Sequence, residues 1–197
     1  MKRTGLAVLV LLLLSSTGLA ISVKTMNLVE MTEKAEKVFH GQCLSRETVD
    51  DSTNIPIVEY KFQVKQAIKG VANGEIVVFR QVDGSQVGKP GIPGVPQYKV
   101  GQELVLFLRK ESRRGLTSPV GLGQGTFLVH KNGRGNVEVM NLVGNRNLLL
   151  GLPEDQPAGL TTEEAQSLRS GRAVPLTSFA SVVSKVISLN HPDNRNR

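Results

Sequence analysis

The sequence predicts a mainly β protein, a small antiparallel barrel or sandwich with helices at its flanks. Three observations carry that expectation. Apolar Val58, Tyr60, Phe62 and Val64 alternate with Glu59, Lys61, Gln63 and Lys65, the period of a strand with one face buried. Lys131-Asn132-Gly133-Arg134-Gly135 joins two strand-like runs, and Asn-Gly is a strong hairpin signal. About six short strands follow one another between 38 and 141 with no helical period among them, which disfavours alternating βαβ units.

Taken in order, the elements begin with a short helix. Asn27 suits the N-cap, Leu28, Met31 and Ala35 share a face, and Glu30 sits where it can complete a capping box. Val38 to Leu44 reads as a first strand and the polar run Ser45 to Asn54 as a loop. The alternating strand from Val58 ends at Lys69-Gly70, and Glu75 to Gln81 makes a third. Glu103 to Arg109 is a fourth; its unbroken apolar run Leu104 to Leu108 predicts cover on both faces. Gly125 to His130 and Asn136 to Met140 complete the set. Phe39, Phe62, Phe79, Phe107 and Phe127 fall one per major strand, as if five rings filled one core. Beyond a Gly- and Pro-bearing linker from Gly151 to Gly159, Thr161 with Glu164 forms a second capping box, opening a helix that Gly171 can end. A last helix has Thr177 as N-cap, with Phe179, Val182, Val183, Val186 and Ile187 on one face. That face either packs on the sheet or docks a partner. The tail from Asn190 is polar.

The first twenty residues read as an export signal. Met1-Lys2-Arg3 is cationic, Leu6 to Leu14 apolar, and Gly18 and Ala20 occupy the −3 and −1 positions of a small-residue exit. The apolar run is about half the ~20 residues that span a bilayer, so no stable membrane anchor is expected. Cleavage after Ala20 would remove Lys2 and Arg3 and take the formal charge from +7 to +5. The expected compartment is secreted or periplasmic.

Composition excludes several classes. One cysteine cannot make an internal disulfide or a multi-thiolate zinc site, and three scattered histidines, His40, His130 and His191, leave little for a metal cage. Neither metal nor cofactor is expected. Cys43 lies in an apolar strand, the setting of an inert buried thiol; His40, three residues away on a strand, faces the other way and forms no dyad with it.

The succession Ala35-x-x-Val38-x-x-Gly41, then Tyr60-x-Phe62-x-Val64 running to Lys69-Gly70, then Val100-Gly101-Gln102-Glu103, then Gly121-Leu122-Gly123-Gln124-Gly125-x-Phe127 resembles a recurrent pattern of exported bacterial proteins of largely undefined function. Over about Leu28 to Met140 it is also similar to the barrel half of the netrin-like family, which includes the tissue inhibitors of metalloproteinases. The resemblance implies an OB-type antiparallel barrel of five to six strands, flanked by the short N-terminal helix and the C-terminal amphipathic helix. The organisation becomes a signal peptide over 1–20, a barrel domain over 21–150, a linker and packing helices over 151–190, and a polar tail over 191–197. One departure bears on function. Those inhibitors bring an N-terminal Cys, with its amine and carbonyl, to the protease zinc and brace the barrel with disulfides. Here the processed chain would begin at Ile21 with no Cys, so protease binding would need another edge or loop.

The most unusual segment is Val82 to Gln97. It opens on Asp83 and carries Gly84, Gly88, Gly91 and Gly94 with Pro90, Pro93 and Pro96 at every third position. That spacing suits an extended polyproline II course, either a binding loop or a strand connection. Gly121-x-Gly-x-Gly125 lacks the Lys-Ser/Thr and the following helix of a phosphate cradle, and reads as a bulge or close-packed turn. Ser85 has no second glycine and makes no nucleophile elbow. Glu163 and Glu164 complement a helix dipole. Basic residues gather at Arg109-Lys110, at Arg113-Arg114 and in the tail at Arg195 and Arg197. Single-strand and sugar binders use exposed stacking rings, and Tyr98 is the ring expected at the surface.

The expectation is an exported, non-enzymatic binding module acting on a protein partner, with a secreted protease as the candidate the resemblance implies. The candidate binding residues are Ile21, Asp83, Pro90, Pro93, Pro96, Tyr98, Arg113 and Arg114. Alternatives are a binder of anionic polysaccharide or nucleic acid, motivated by the basic turn, and a hydrolase for which no residue set can be named. Nucleic acid is the less expected partner.

Overall fold

The computed structural model describes residues 24–49, 55–84, 94–152 and 160–190. The fold is mainly β: seven antiparallel strands form one sheet in the order β3-β2-β1-β4-β5-β6-β7, with three α-helices among the described residues. The strands are β1 (Lys37–Val49), β2 (Ile57–Lys69), β3 (Ile76–Val82), β4 (Glu103–Leu108), β5 (Thr126–Lys131), β6 (Val137–Asn141) and β7 (Val174–Pro175). The helices are α1 (Leu28–Lys34), α2 (Thr162–Arg169) and α3 (Leu176–Asn190).

Both capping boxes form. Asn27 Oδ1 accepts the Glu30 N–H at 2.9 Å while the Asn27 N–H donates to Glu30 at 3.2 Å; Thr161 and Glu164 exchange the same pair of bonds. Helix α3 differs at its start. It begins at Leu176, directly after β7, so Thr177 lies inside the helix rather than at its cap.

Strand β1 runs on as far as Val49 into the polar stretch expected to be a loop, whose remainder, 50–54, lies outside the described residues. Ser45 to Val49 pair with Lys61 to Ile57, because backbone ladder bonds form whatever the side chains are, and this arm lies beyond the reach of β4, whose pairing with β1 ends at Gln42. The arm has no alternating burial for that reason. Strand β7 was not expected. Two residues with a proline carry no strand period, and Pro175 is tolerated because β7 is an edge. In the β5–β6 loop, Asn132 closes the turn, accepting from the Arg134 and Asn136 N–H groups. The positive φ, +82°, falls at Gly135 rather than at the Asn-Gly pair.

The sheet does not close into a barrel through its strands; β3 and β7 are its two edges. Residues 109–120, which follow β4, tie the β3 edge back instead. The Thr117 N–H donates to Arg80 O on β3 at 2.8 Å, while the Arg109 N–H donates to Ser118 O and the Val120 N–H to Phe107 O. Single bridges result at Arg80 with Leu116 and at Leu108 with Pro119.

Two cores replace the single one expected. Phe39, Phe62 and Phe79 pack with Tyr60 and Tyr98 inside the curl of β1 to β4. Phe107 and Phe127 lie instead with Phe179 of α3, in a core that α1, α2 and α3 cover. Strand β4 is buried on both faces as expected: Leu104, Leu106 and Leu108 enter the aromatic core, Val105 and Phe107 the helix-covered one. The apolar face of α3 (Phe179, Val182, Val183 and Val186) is spent on this packing rather than on solvent. No helix among the described residues is long and apolar enough to cross a membrane.

Candidate functional site

A trench opens where the end of the Gly/Pro segment meets the turn between β4 and β5. Its larger part, a cavity of about 640 Å³, is walled by 94–97, by Gly121 to Gln124, by Leu142 and Val143, and by Arg146 and Asn147, with Thr25 at the rim. A second cavity of about 390 Å³ adjoins it, sharing Val95 and Leu122 and reaching Gln81, Arg109, Lys110, Ser112 and Leu116. Two sequence features that read separately, the proline-spaced segment and the three-glycine turn, thus line one site.

Each wall is held from beneath. Gln81 donates Nε2 to Pro96 O at 2.7 Å, and the Tyr60 hydroxyl reaches Gln97 Oε1 at 3.5 Å while accepting from the Tyr98 N–H at 3.4 Å. The guanidinium of Arg46 bonds Asp83 at 3.0 Å and Gln97 at 3.3 Å. These bonds fix the two ends of the segment, Asp83 and Gln97, to β1 and β2. Across the trench, Gly125 is obligatory: a Cβ there would stand 2.4 Å from Val120 O. The side-chain amide of Gln124 then clamps the N-terminal stretch like one rung of a ladder, accepting from the Met26 N–H at 2.8 Å and donating to Lys24 O at 3.0 Å.

The third wall rests on a buried asparagine pair. The Asn141 N–H donates to Asn145 Oδ1 and the Asn145 N–H to Asn141 Oδ1, both at 2.8 Å; Asn145 Nδ2 also reaches Arg172 O at 2.7 Å. This reciprocal cap holds Leu142 and Val143 outward, 46% and 47% exposed. Backbone strain gathers at the same place. Only three non-glycine residues among those described have positive φ, and two of them, Leu122 at +55° and Asn147 at +66°, line the trench. For Leu, which has no polar side chain to steady that conformation, the cost is about 1–2 kcal/mol, and such strain clusters at functional sites.

The sequence-predicted residues distribute unevenly. Pro96 lines the trench. Asp83 is buried and ion-paired to Arg46, bracing the segment rather than facing outward. Tyr98 corrects the expectation of a surface ring: it is 2% exposed, its ring 4.8 Å from Tyr60 and 5.6 Å from Phe62. Burial also pushes its hydroxyl pKa far up. Arg113 and Arg114 are exposed on the 109–120 connector and line neither cavity. Ile21, Pro90 and Pro93 lie outside the described residues. Sequence reasoning missed Leu142, Val143, Asn147 and the Asn141–Asn145 pair, which belong to no apolar period.

Elsewhere, His40 Nε2 meets Glu103 at 3.0 Å, and Lys65 Nζ meets the other oxygen of that carboxylate at 2.6 Å. Burial lowers the His40 pKa, opposed by Glu103, while the Lys65 ammonium chiefly holds the Glu103 carboxyl below its usual range. Cys43 is buried in the aromatic core with its thiol pKa raised by desolvation, the opposite of an activated nucleophile. Among the described residues no group of three His, Cys, Asp or Glu side chains could hold a metal ion. Compared with protein-family models, curated proteins and solved structures, the chain matches none.

Proposed function

We propose that this protein is an exported, non-enzymatic binding module that seats a segment of a protein partner in the trench. The observation that carries the reading is the joining of strained Leu122 and Asn147 with exposed Leu142 and Val143 around one open, largely apolar cavity. Apolar side chains held at the surface by a buried polar cap favour contact with another molecule. Small partners and extended segments alike prefer concave, apolar sites with a few polar groups, and here Asn147 and Arg146 supply them.

Kinship with the netrin-like OB barrels is part of the proposal. Its support is the antiparallel run β3-β2-β1-β4-β5 together with the connector that ties β3 to β4. Export and a secreted protease as partner belong to it too, supported by the cationic and apolar start of the chain and by the N-terminal stretch at the trench rim, where Gln124 holds it. A polysaccharide or nucleic-acid role is less favoured. All eight aromatic rings, six Phe and two Tyr, are buried, leaving none to stack on a base or a sugar.

The test is site-specific photo-crosslinking in exported fractions. A crosslinker at Leu142 should capture a discrete protein that one at Leu189, exposed on α3, does not, and Leu142→Glu or Val143→Glu should abolish that capture in competition. The captured protein is then assayed for protease activity with and without the module. Equal capture from both positions would overturn the trench as the site; a captured protease unaffected by the module would overturn inhibition.

A further inference from the structure

Resting on that reading, we infer that the trench selects an acidic segment: an extended peptide with an apolar residue in the larger cavity and carboxylates over Arg109 and Lys110. The two cavities meet at Val95 and Leu122, which line both, so one extended chain laid over that boundary reaches into each. Their charge is one-sided. Arg146 lines the first and Arg109 and Lys110 the second; no Asp or Glu is among the described residues that line these two, while Glu36 and Glu111 line the neighbouring cavity on the far side of Arg109 and Lys110. All three cations are exposed, and none has a carboxylate partner among the described residues. Exposed cations at the border of an apolar cavity are complementary to a ligand that is apolar at one end and anionic at the other.

Gln81 adds an independent sign that the ligand brings a hydrogen-bond donor. It borders the second cavity with its side chain buried, and while Nε2 is bonded to Pro96 O, its Oε1 has no donor among the described residues. A buried amide oxygen without a partner costs stability, and an extended peptide carries the N–H groups that can relieve it. Anionic polymers offer the charge but not the apolar anchor that Leu122, Leu142 and Val143 call for.

The probe is a displayed library of random peptides about 12 residues long, about 40 Å when fully extended, panned against the full chain and against the Arg109→Glu/Lys110→Glu variant. Both positions are exposed, so the double variant should fold, which circular dichroism checks. The expected result is enrichment of peptides pairing Leu, Ile or Val with a run of Asp or Glu. As synthetic peptides, these should bind the charge-reversed chain at least tenfold more weakly, lose affinity as salt rises, and be lost to Leu142→Glu as well. Enrichment of apolar peptides without acidic residues, with affinity unchanged by the double variant, would overturn the acidic selectivity and leave the binding-module reading intact. No enrichment above a protein-free control would overturn both. Tighter retention of heparin or oligothymidylate than of any peptide, insensitive to Leu142→Glu, would overturn the peptide in favour of an anionic polymer.

Discussion

At the residue scale, side chains and glycines that build the trench differ in how much they can change. Gly125 and Gly133 make the contrast. A Cβ at Gly125 meets the carbonyl oxygen of Val120 at 2.4 Å, backbone that cannot step aside without moving the whole turn, while Gly133 has open space and no positive φ. Gly125→Ala should therefore cost about 2 kcal/mol or more, whereas Gly133→Ala should stay within about 0.5 kcal/mol; urea denaturation of both variants checks the pair. His40 gives a pH prediction whose sign follows from its burial. The folded chain holds the His40 pKa below its usual 6.5 and the Glu103 pKa below its usual 4.5. As pH falls below 6.5 the unfolded chain takes up the imidazole proton before the folded one does, so stability declines from there down to the folded His40 value. A second loss follows beneath 4.5 as Glu103 is protonated. The urea midpoint should therefore fall between pH 7 and 5 in the parent protein and flatten over that interval in His40→Gln, with the more acid loss retained. An unchanged slope in the variant would remove His40 as the cause.

At the scale of elements, α3 makes the clearest demand on its neighbours. Its Phe179 ring lies 4.5 Å from Phe127 and 6.3 Å from Phe107, so the helix is a wall of the core that β4 and β5 present. Phe179→Ala should cost about 3–5 kcal/mol, and ending the chain before Leu176 should leave no cooperatively folded protein, as a loss of the thermal transition would register. The elements also show which parts of the architecture local sequence can express. Both capping boxes were legible because each needs only two residues three positions apart, and the double burial of β4 because five consecutive apolar residues leave no polar face. The β7 pairing was hidden: Val174 and Pro175 are a strand only because β6 lies beside them. Tyr98 misled for a related reason. It follows a segment rich in proline and glycine, the usual company of surface residues, yet the bonds that Gln81, Arg46 and Tyr60 make to 96–98 draw that segment's end inward. The trench was half legible. Its glycine- and proline-bearing walls announced themselves by composition, whereas Leu142 and Val143 owe their exposure to a buried Asn141–Asn145 exchange that no period reveals.

At the scale of the whole molecule, two cores share strands instead of occupying separate domains, and that sharing predicts a single folding unit. Val38 and Phe39 of β1 enter opposite cores, and the five buried residues of β4 divide between them. If the helix-covered core opened alone, Val105 and Phe107 would lose their cover while remaining tied to a folded aromatic core. Each large apolar side chain so exposed costs about 1.5–3 kcal/mol, a substantial fraction of the 5–15 kcal/mol that holds a domain together. Opening the aromatic core alone strips Leu104, Leu106 and Leu108 in the same way. Partial unfolding is therefore disfavoured from either side. The chain carries its own reporters for each half: it has two tyrosines and no tryptophan, both tyrosines sit in the aromatic core, and α1, α2 and α3 all pack on the other. Tyrosine fluorescence and helical circular dichroism should thus follow one urea transition with coincident midpoints. Leu106→Ala and Phe179→Ala, placed on opposite cores, should each move both signals together, because β4 transmits the loss. Midpoints that separate, or a variant that shifts one signal and leaves the other in place, would mean that β4 does not couple the two cores.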